Sequence, residues 1–300
     1  MTTKPVRIVC AGIATLDFVY GLDAIPTVPL KFRTHRMELS GGGLAGNAAT
    51  ACARLGADVT LVARLGDDPF AGMITEEFAR EGIDTSAIRR CPGHRTPVSA
   101  VIIDDAGERM VVSYSDPDLL TDPALVPEGV ERGADAIYAE TRWIEAALAL
   151  LPRARDAGIP SVLDADRRPR RPEVIALASH VGFSAQALRD LTGIDDLAVA
   201  LAHAARDATN VLAVTDGARG CWYMDAGAVV HLPAFPVKAV DTLGAGDTWH
   251  GALAVALGEG QPLARAMLFA NAAAALKCTE FGGRKGMPRR ERVDALLAGA

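Results

Sequence analysis

Short apolar runs closed by glycine or polar text alternate along this chain with longer stretches in which apolar residues recur every three or four positions. The opening V-R-I-V-C-A-G reads as a buried strand. Gly-rich text follows, and an Ala-rich helical pattern over 45–55 completes a strand–loop–helix unit. Further strands are predicted at 58–63, 136–139, 160–163, 180–183 and 211–215, with helices between them, among them 143–157 and 197–206. This alternation predicts an α/β fold with a central, largely parallel sheet and helices on both faces. Two stretches break the rhythm. Residues 16–39 and 97–115 read as antiparallel strands, the second pair turning through D-D-A-G-E at 104–108. They predict a small β appendage near the strand C-termini, placed to close over a ligand. One domain over 1–300 with these two lid segments accommodates all of it.

Composition narrows the partners. Half the residues are apolar, enough for a large core, and 37 acidic against 31 basic residues give a formal charge of −6 with no basic stripe. Nucleic acid and anionic membrane are therefore excluded as expected partners, and a small molecule is favoured. Five scattered cysteines, Cys10, Cys52, Cys91, Cys221 and Cys278, form no C-x-x-C pair, which fits a reducing compartment and no zinc site. The apolar run before Gly12 is too short for a signal peptide core, so a cytoplasmic location is expected.

The strongest chemical signal is D-T-L-G-A-G-D at 241–247, running into a helical pattern through about Leu257. Glycines at 244 and 246 let the backbone turn so that successive N–H groups converge at a helix start. The macrodipole adds about half a positive charge there, making an anion hole suited to a phosphoryl group in transit. Asp247 falls in the first turn beside it, where a carboxylate can take a proton from an attacking hydroxyl. Two nearby patterns are decoys. Gly41, Gly43 and Gly46 satisfy G-x-G-x-x-G, but no buried strand precedes them; a P-loop would need Lys and Ser or Thr where Asn47 and Ala48 stand. His250, one helical turn after Asp247, reads as a packing or capping residue, and Trp143 and Trp249 as core or pocket wall.

The D-T-L-G-A-G-D block resembles the C-terminal signature of the ribokinase (PfkB) family of carbohydrate and nucleoside kinases. G-G-L-A-G-N-A-A-T-A-C-A-R-L-G at 42–56 is similar to its N-terminal signature, L-D-A-D-R-R-P at 163–169 to a mid-chain segment, and V-T-D-G-A-R-G at 214–220 to its nucleotide loop. The resemblance implies a ribokinase-like three-layer sandwich with a β lid, and ATP-dependent phosphorylation of a sugar with Mg²⁺. It implies an anion hole from Gly244, Ala245 and Gly246, with Asp247 as base. Sugar hydroxyls would be held by Asp17, Gly43 and Asn47, and the nucleotide by Thr215, Gly217, Gly220 and Asn271. Ser184 and Ala187 stand where the family often has N-x-x-E, so the metal is expected through water and Asp164 or Asp166. The family also often binds a monovalent cation, K⁺, near the Asp241 loop, and the exposed lid edges suggest a homodimer through the lid. Within the family, A-E-T-R-W at 139–143, S-Y-S-D-P-D-L-L at 113–120, A-A-L-K-C-T at 274–279 and F-G-G-R-K-G-M-P at 281–288 are similar to the sulfofructose kinase branch. That likeness places Lys31, Ser113 and Arg142 at the sulfonate, with Lys and Arg supplying the charge complement. Ser113 stands where the branch has an amide, which leaves a neutral ketose or a sugar with a different anionic group as other readings; a nucleoside kinase is a rival that the two cations disfavour, and a silent sugar-binding regulator one that the intact Asp247 and glycine turn disfavour.

Overall fold

A computed structural model of the protein describes residues 4–34, 36–120 and 122–299. In chain order the strands and helices are β1 (Arg7–Ala11), β2 (Thr15–Gly21), β3 (Arg36–Gly42), α1 (Leu44–Arg54), β4 (Asp58–Gly66), α2 (Pro69–Arg80) and β5 (Ile88–Cys91). They continue with β6 (Val98–Ile103), β7 (Arg109–Tyr114), β8 (Ala136–Glu140), α3 (Ile144–Asp156), β9 (Ser161–Ala165) and β10 (His180–Ser184). The last are α4 (Ala185–Thr192), α5 (Leu197–Ala204), β11 (Val211–Thr215), β12 (Cys221–Asp225), β13 (Ala228–Leu232), α6 (Ala245–Gly258), α7 (Leu263–Lys277) and α8 (Arg290–Ala298). No helix among the described residues is long and apolar enough to cross a membrane.

The large sheet has the order β13-β12-β11-β10-β9-β8-β1-β4-β5. Its strands from β11 to β5 are parallel, and β12 and β13 add an antiparallel hairpin at one edge. The period-two alternation of a strand splits the apolar residues between two cores. Ile8 and Cys10 of β1 pack with α1, α6 and α7 on one face, while Val9 and Ala11 pack toward α3 on the other. Strands β8 to β11 send Ala139, Leu163, Val181 and Val214 into the second layer, against α3, α4 and α5. The sheet is buried on both sides, so the sequence shows it as continuous apolar runs. This is the α/β arrangement, a largely parallel sheet with helices on both faces, expected from the alternation.

The lid is a four-stranded sheet of order β3-β2-β6-β7. Its two hairpins are antiparallel, as expected, but they meet through a parallel pairing of β2 with β6. The turn at 104–108 is closed by Asp104 Oδ1, which accepts from the Ala106 and Glu108 amides at 3.0 and 2.9 Å. Residues 22–34, inside the first predicted lid segment, form a loop rather than a strand. Pro26 and Pro29 each remove a ladder donor there. The outward lid face exposes Met37, Leu39, Val112 and Tyr114.

Candidate active site

Strand order reverses between β1 and β8, since β4 and β5 lie on one side of β1 and β8 to β11 on the other. Open α/β sheets bind ligands outside the carboxyl ends of their strands at such a point. Glu140, the last residue of β8, bridges the gap. Its side chain is fully buried; Oε1 accepts from the Ile13 amide at 2.9 Å and the Trp143 amide at 3.1 Å, and Oε2 accepts from the Arg142 amide. Burial pushes this carboxyl up to about 8 against the pull of those three donors. Between its ordinary value and 8 the folded chain holds a proton that the unfolded chain has lost, so stability falls as pH rises through that range. Glu140→Gln is expected to flatten this slope by up to about 1.4 kcal/mol per pH unit. Melting curves of both chains from pH 6 to 9 measure it, and parallel pH profiles would refute it.

The turn before α6 carries the chemistry. Leu243 N donates to Asp241 Oδ1 at 2.7 Å, and Gly244 caps the helix at φ 79°, ψ 9°, a left-handed conformation that glycine adopts without strain. Gly246 does not share that conformation. It lies in ordinary helix with open space where a Cβ would stand, so it does not turn the chain but leaves its backbone open to close approach. Asp247 follows in the first helical turn, with Oδ2 accepting from Asn47 Nδ2 at 2.6 Å. Burial raises the Asp247 carboxyl above the usual range, and the Asn47 bond partly opposes it. Asn47 is oriented in turn by Arg284, whose Nε donates to its Oδ1 at 3.0 Å, whose Nη2 donates to Gly42 O at 3.0 Å and whose Nη1 lies 3.2 Å from Glu77 Oε1.

The lid contributes a polar row. Strand pairing sets Ser40, Asp17, Ser99 and Ser113 side by side across β3, β2, β6 and β7, on one face of the sheet. Asp17 Oδ1 accepts from Thr15 Oγ1 at 2.9 Å, and Ser99 Oγ lies 3.1 Å from Ser113 Oγ. Burial raises the Asp17 carboxyl. Gly43 starts α1 at φ 82°, and a Cβ there would approach Ile13 O to 2.5 Å, so only glycine fits. Arg109 of β7 donates from Nη1 to Thr242 Oγ1 at 2.6 Å, latching the lid to the anion turn.

On the far side of that turn a cavity of about 410 Å³ is lined by Thr215, Gly217, Gly220, Ala245, Gly246, Trp249 and Asn271, among others. The four residues expected at the nucleotide thus meet in one pocket that ends at the anion hole. Asn271 forms wall rather than an open contact: Oδ1 accepts from Trp249 Nε1 at 2.8 Å, and Nδ2 donates to Leu232 O and Pro233 O at 3.3 Å. Trp249 and His250 are packing residues, as expected. The ring nitrogens of His250 face Gly246 O and Gly182 O at 2.8 and 3.0 Å.

Asp164 is buried, accepts from Tyr138 Oη at 3.0 Å and lies 3.3 Å from His250 Nδ1. Burial and then the neighbouring Asp247 charge push its carboxyl upward. Asp166 accepts from Thr141 Oγ1 at 3.0 Å and is paired with Arg142 through Nε, at 2.8 Å, and Nη2. Ser184, where the family often has Asn, donates to Asp166 O at 2.9 Å and caps α4. Lys31 is exposed on the 22–34 loop, and no contact among the described residues joins it to Arg142 or Ser113. Arg284, Glu77, Glu140 and Arg109 were not among the site residues read from sequence. Arg284 and Glu140 had a signal, since they lie in the F-G-G-R-K-G and A-E-T-R-W blocks that carried the branch resemblance.

A lidded α/β sheet with a nucleotide-sized cavity, an anion-binding helix start and a half-buried carboxylate at its head defines a phosphotransferase acting on a small hydroxyl compound. The pfkB family carbohydrate kinase model matches residues 6–290. A ribokinase of Bacillus subtilis is 30% identical over 297 residues, covering 97% of this chain and all of the relative. A fructokinase of Klebsiella pneumoniae is 31% identical over 289 residues, covering 85% and 91%. Among solved structures, a ribokinase-type protein from Agrobacterium tumefaciens superposes with a TM-score of 0.95 at 34% identity, covering 99% and 98%. A fructokinase with bound ATP from Xylella fastidiosa gives 0.82 at 26%, covering 98% of each chain. The chain belongs to the pfkB family of carbohydrate kinases and is an ATP-dependent sugar kinase.

Proposed function

We propose that this kinase transfers the γ-phosphoryl group of ATP to a primary hydroxyl of a ketose carrying an anionic group, with 6-deoxy-6-sulfofructose giving its 1-phosphate as the expected reaction. The half-buried Asp247 carboxylate, held by Asn47 at the head of the anion turn, is the observation that carries the chemistry. Asp17 and its serine row orient the sugar so that one hydroxyl faces Asp247. That hydroxyl gives its proton to Asp247 as its oxygen bonds to the γ-phosphorus. The bond from the γ-phosphorus to the β–γ bridging oxygen breaks, and ADP leaves. Backbone N–H groups of 244–246 meet the charge on the phosphoryl oxygens. Asp164, Asp166 and Asp247 share one negative field, offset in part by Arg142 on Asp166, a setting that fits Mg²⁺ arriving with the nucleotide and held through water by Asp164 or Asp166. Magnesium would neutralise developing phosphate charge there.

The sulfonate reading rests on the branch resemblance and on Arg142, whose Nε and Nη2 are spent on Asp166 while Nη1 makes no hydrogen bond among the described residues. Fructose is the second reading, supported by relatives named fructokinase. ADP release with MgATP against 6-deoxy-6-sulfofructose, fructose, fructose 6-phosphate, ribose and adenosine separates them. Arg142→Ala is expected to cost about 10–10²-fold in kcat/KM for the sulfosugar, as loss of a charged hydrogen bond does. Fructose turnover indifferent to that substitution would remove the sulfonate pocket and keep the kinase.

A further inference from the structure

Lys277 ends α7 with a side chain that is 0% exposed. Its Nζ donates to Asp241 O at 2.9 Å and lies 3.3 Å from Asp241 Oδ2. That carboxylate also accepts from Leu243 N at 2.7 Å, Gly282 N at 2.9 Å and Gly283 N at 3.1 Å. One ammonium therefore sits where two loops meet: the loop that opens the anion turn and the loop that carries Arg284. A buried ammonium is costly and is retained only when paired and hydrogen-bonded. Burial pulls the Lys277 amine down and the Asp241 carboxylate holds it up, while Arg109 is the other cation acting on it and pulls the same way as burial.

The monovalent-cation site implied by the family resemblance belongs to this same loop. The residues here do not fit it. Asp241 O and Oδ2, the carbonyl and carboxylate oxygens that would bind K⁺, already hold a fixed positive charge at contact distance, and a second cation on them would be repelled.

We propose that Lys277 is a built-in monovalent cation, so that this kinase, on the reading above, works without K⁺. It is a positioning residue. Through Asp241 it ties the start of the 241–244 turn to the 282–283 loop, and so fixes the helix start that receives the phosphoryl group.

The test compares the native chain, Lys277→Ala and Lys277→Met in N-methylglucamine chloride and in KCl or NH₄Cl at matched ionic strength, by melting temperature and by turnover. The native chain is expected to show the same melting temperature and the same turnover in every salt. Lys277→Ala is expected to lose turnover about 10-fold or more in N-methylglucamine, the scale of a misplaced catalytic geometry. K⁺ or NH₄⁺ entering the vacated space is expected to raise its melting temperature and restore part of the turnover. Lys277→Met fills that space with an apolar chain and is expected to gain nothing from either ion. A native chain stabilised or activated by K⁺ overturns the proposal, as does an alanine chain whose melting and turnover ignore K⁺, since a mere strut would behave so. Should the alanine chain fold in neither salt, the native melting response alone decides in the same two directions. Turnover of no sugar in any salt would remove the kinase reading, while the melting curves still judge Lys277.

Discussion

Asp247→Asn is expected to lower turnover by about 10²–10⁴-fold, the range for removing a general base, while the fold stays intact. The carboxylate is half-buried between Asn47 and the field of Asp164 and Asp166, so exchanging it for a neutral amide relieves like-charge repulsion rather than opening a hole. Asn47 can still donate to the new side-chain oxygen. A loss of rate without loss of melting temperature therefore isolates the chemistry from the scaffold. The pH profile supplies a second readout. Burial raises the Asp247 carboxyl, and a base acts only when ionised, so turnover is expected to fall on acidification through a value above the ordinary carboxylate range. In the asparagine chain that acid limb should disappear from the residual activity. Turnover unchanged by the substitution would remove Asp247 as the base.

Arg284→Met is expected to destabilise the protein by about 2–4 kcal/mol, because it leaves Glu77 without its buried partner. The lower part of the range for broken buried pairs applies, since Glu77 keeps 25% of its side chain exposed and still accepts from Gly41 N at 2.7 Å. For a chain of this size that is a fall of about 4–12 °C in melting temperature. Kinetics should follow stability. With Arg284 gone the Asn47 Oδ1 loses its donor and only the bond to Asp247 orients the amide, so KM for the sugar is expected to rise and kcat to fall together. Arg284→Lys should recover only part of either effect, because three different guanidinium nitrogens reach Asn47, Gly42 and Glu77 and a single ammonium cannot span them. Full recovery by lysine would show that charge alone matters there.

These two residues mark where the sequence was legible. The 241–247 block showed Asp247 because its chemistry is local: glycine, glycine and carboxylate in one helix start need no distant partner to be recognised. The same holds for Thr215, Gly217 and Gly220, read from one loop, which line the cavity beside the 244–246 turn. Arg284 was quoted as text but given no role, because its three partners, at 42, 47 and 77, are more than 200 residues away in the chain. Glu140 and Lys277, in the A-E-T-R-W and A-A-L-K-C-T blocks, show no role in sequence for a related reason. A buried carboxylate that clamps two loops and a lysine that ends an alanine helix look, in sequence, like ordinary polar punctuation of apolar runs.

Periodicity alone determined the layer architecture, since a strand buried on both faces and a helix buried on one leave different spacings of apolar residues. It also located the two lid hairpins, and local turn chemistry closed the one at 104–108. What it left open was pairing between distant segments. The parallel join of β2 to β6 sets Asp17 beside Ser99 and Ser113, and no feature of either hairpin specifies that register by itself. Reversal of strand order between β1 and β8 places Glu140 at the mouth of the site, and docking of α7 against the 241–244 turn buries the Lys277 charge. Sequence carried the chemistry that one stretch of backbone can hold, whereas the fields and hydrogen bonds that tune it arise between elements far apart in the chain and exist only once those elements have packed.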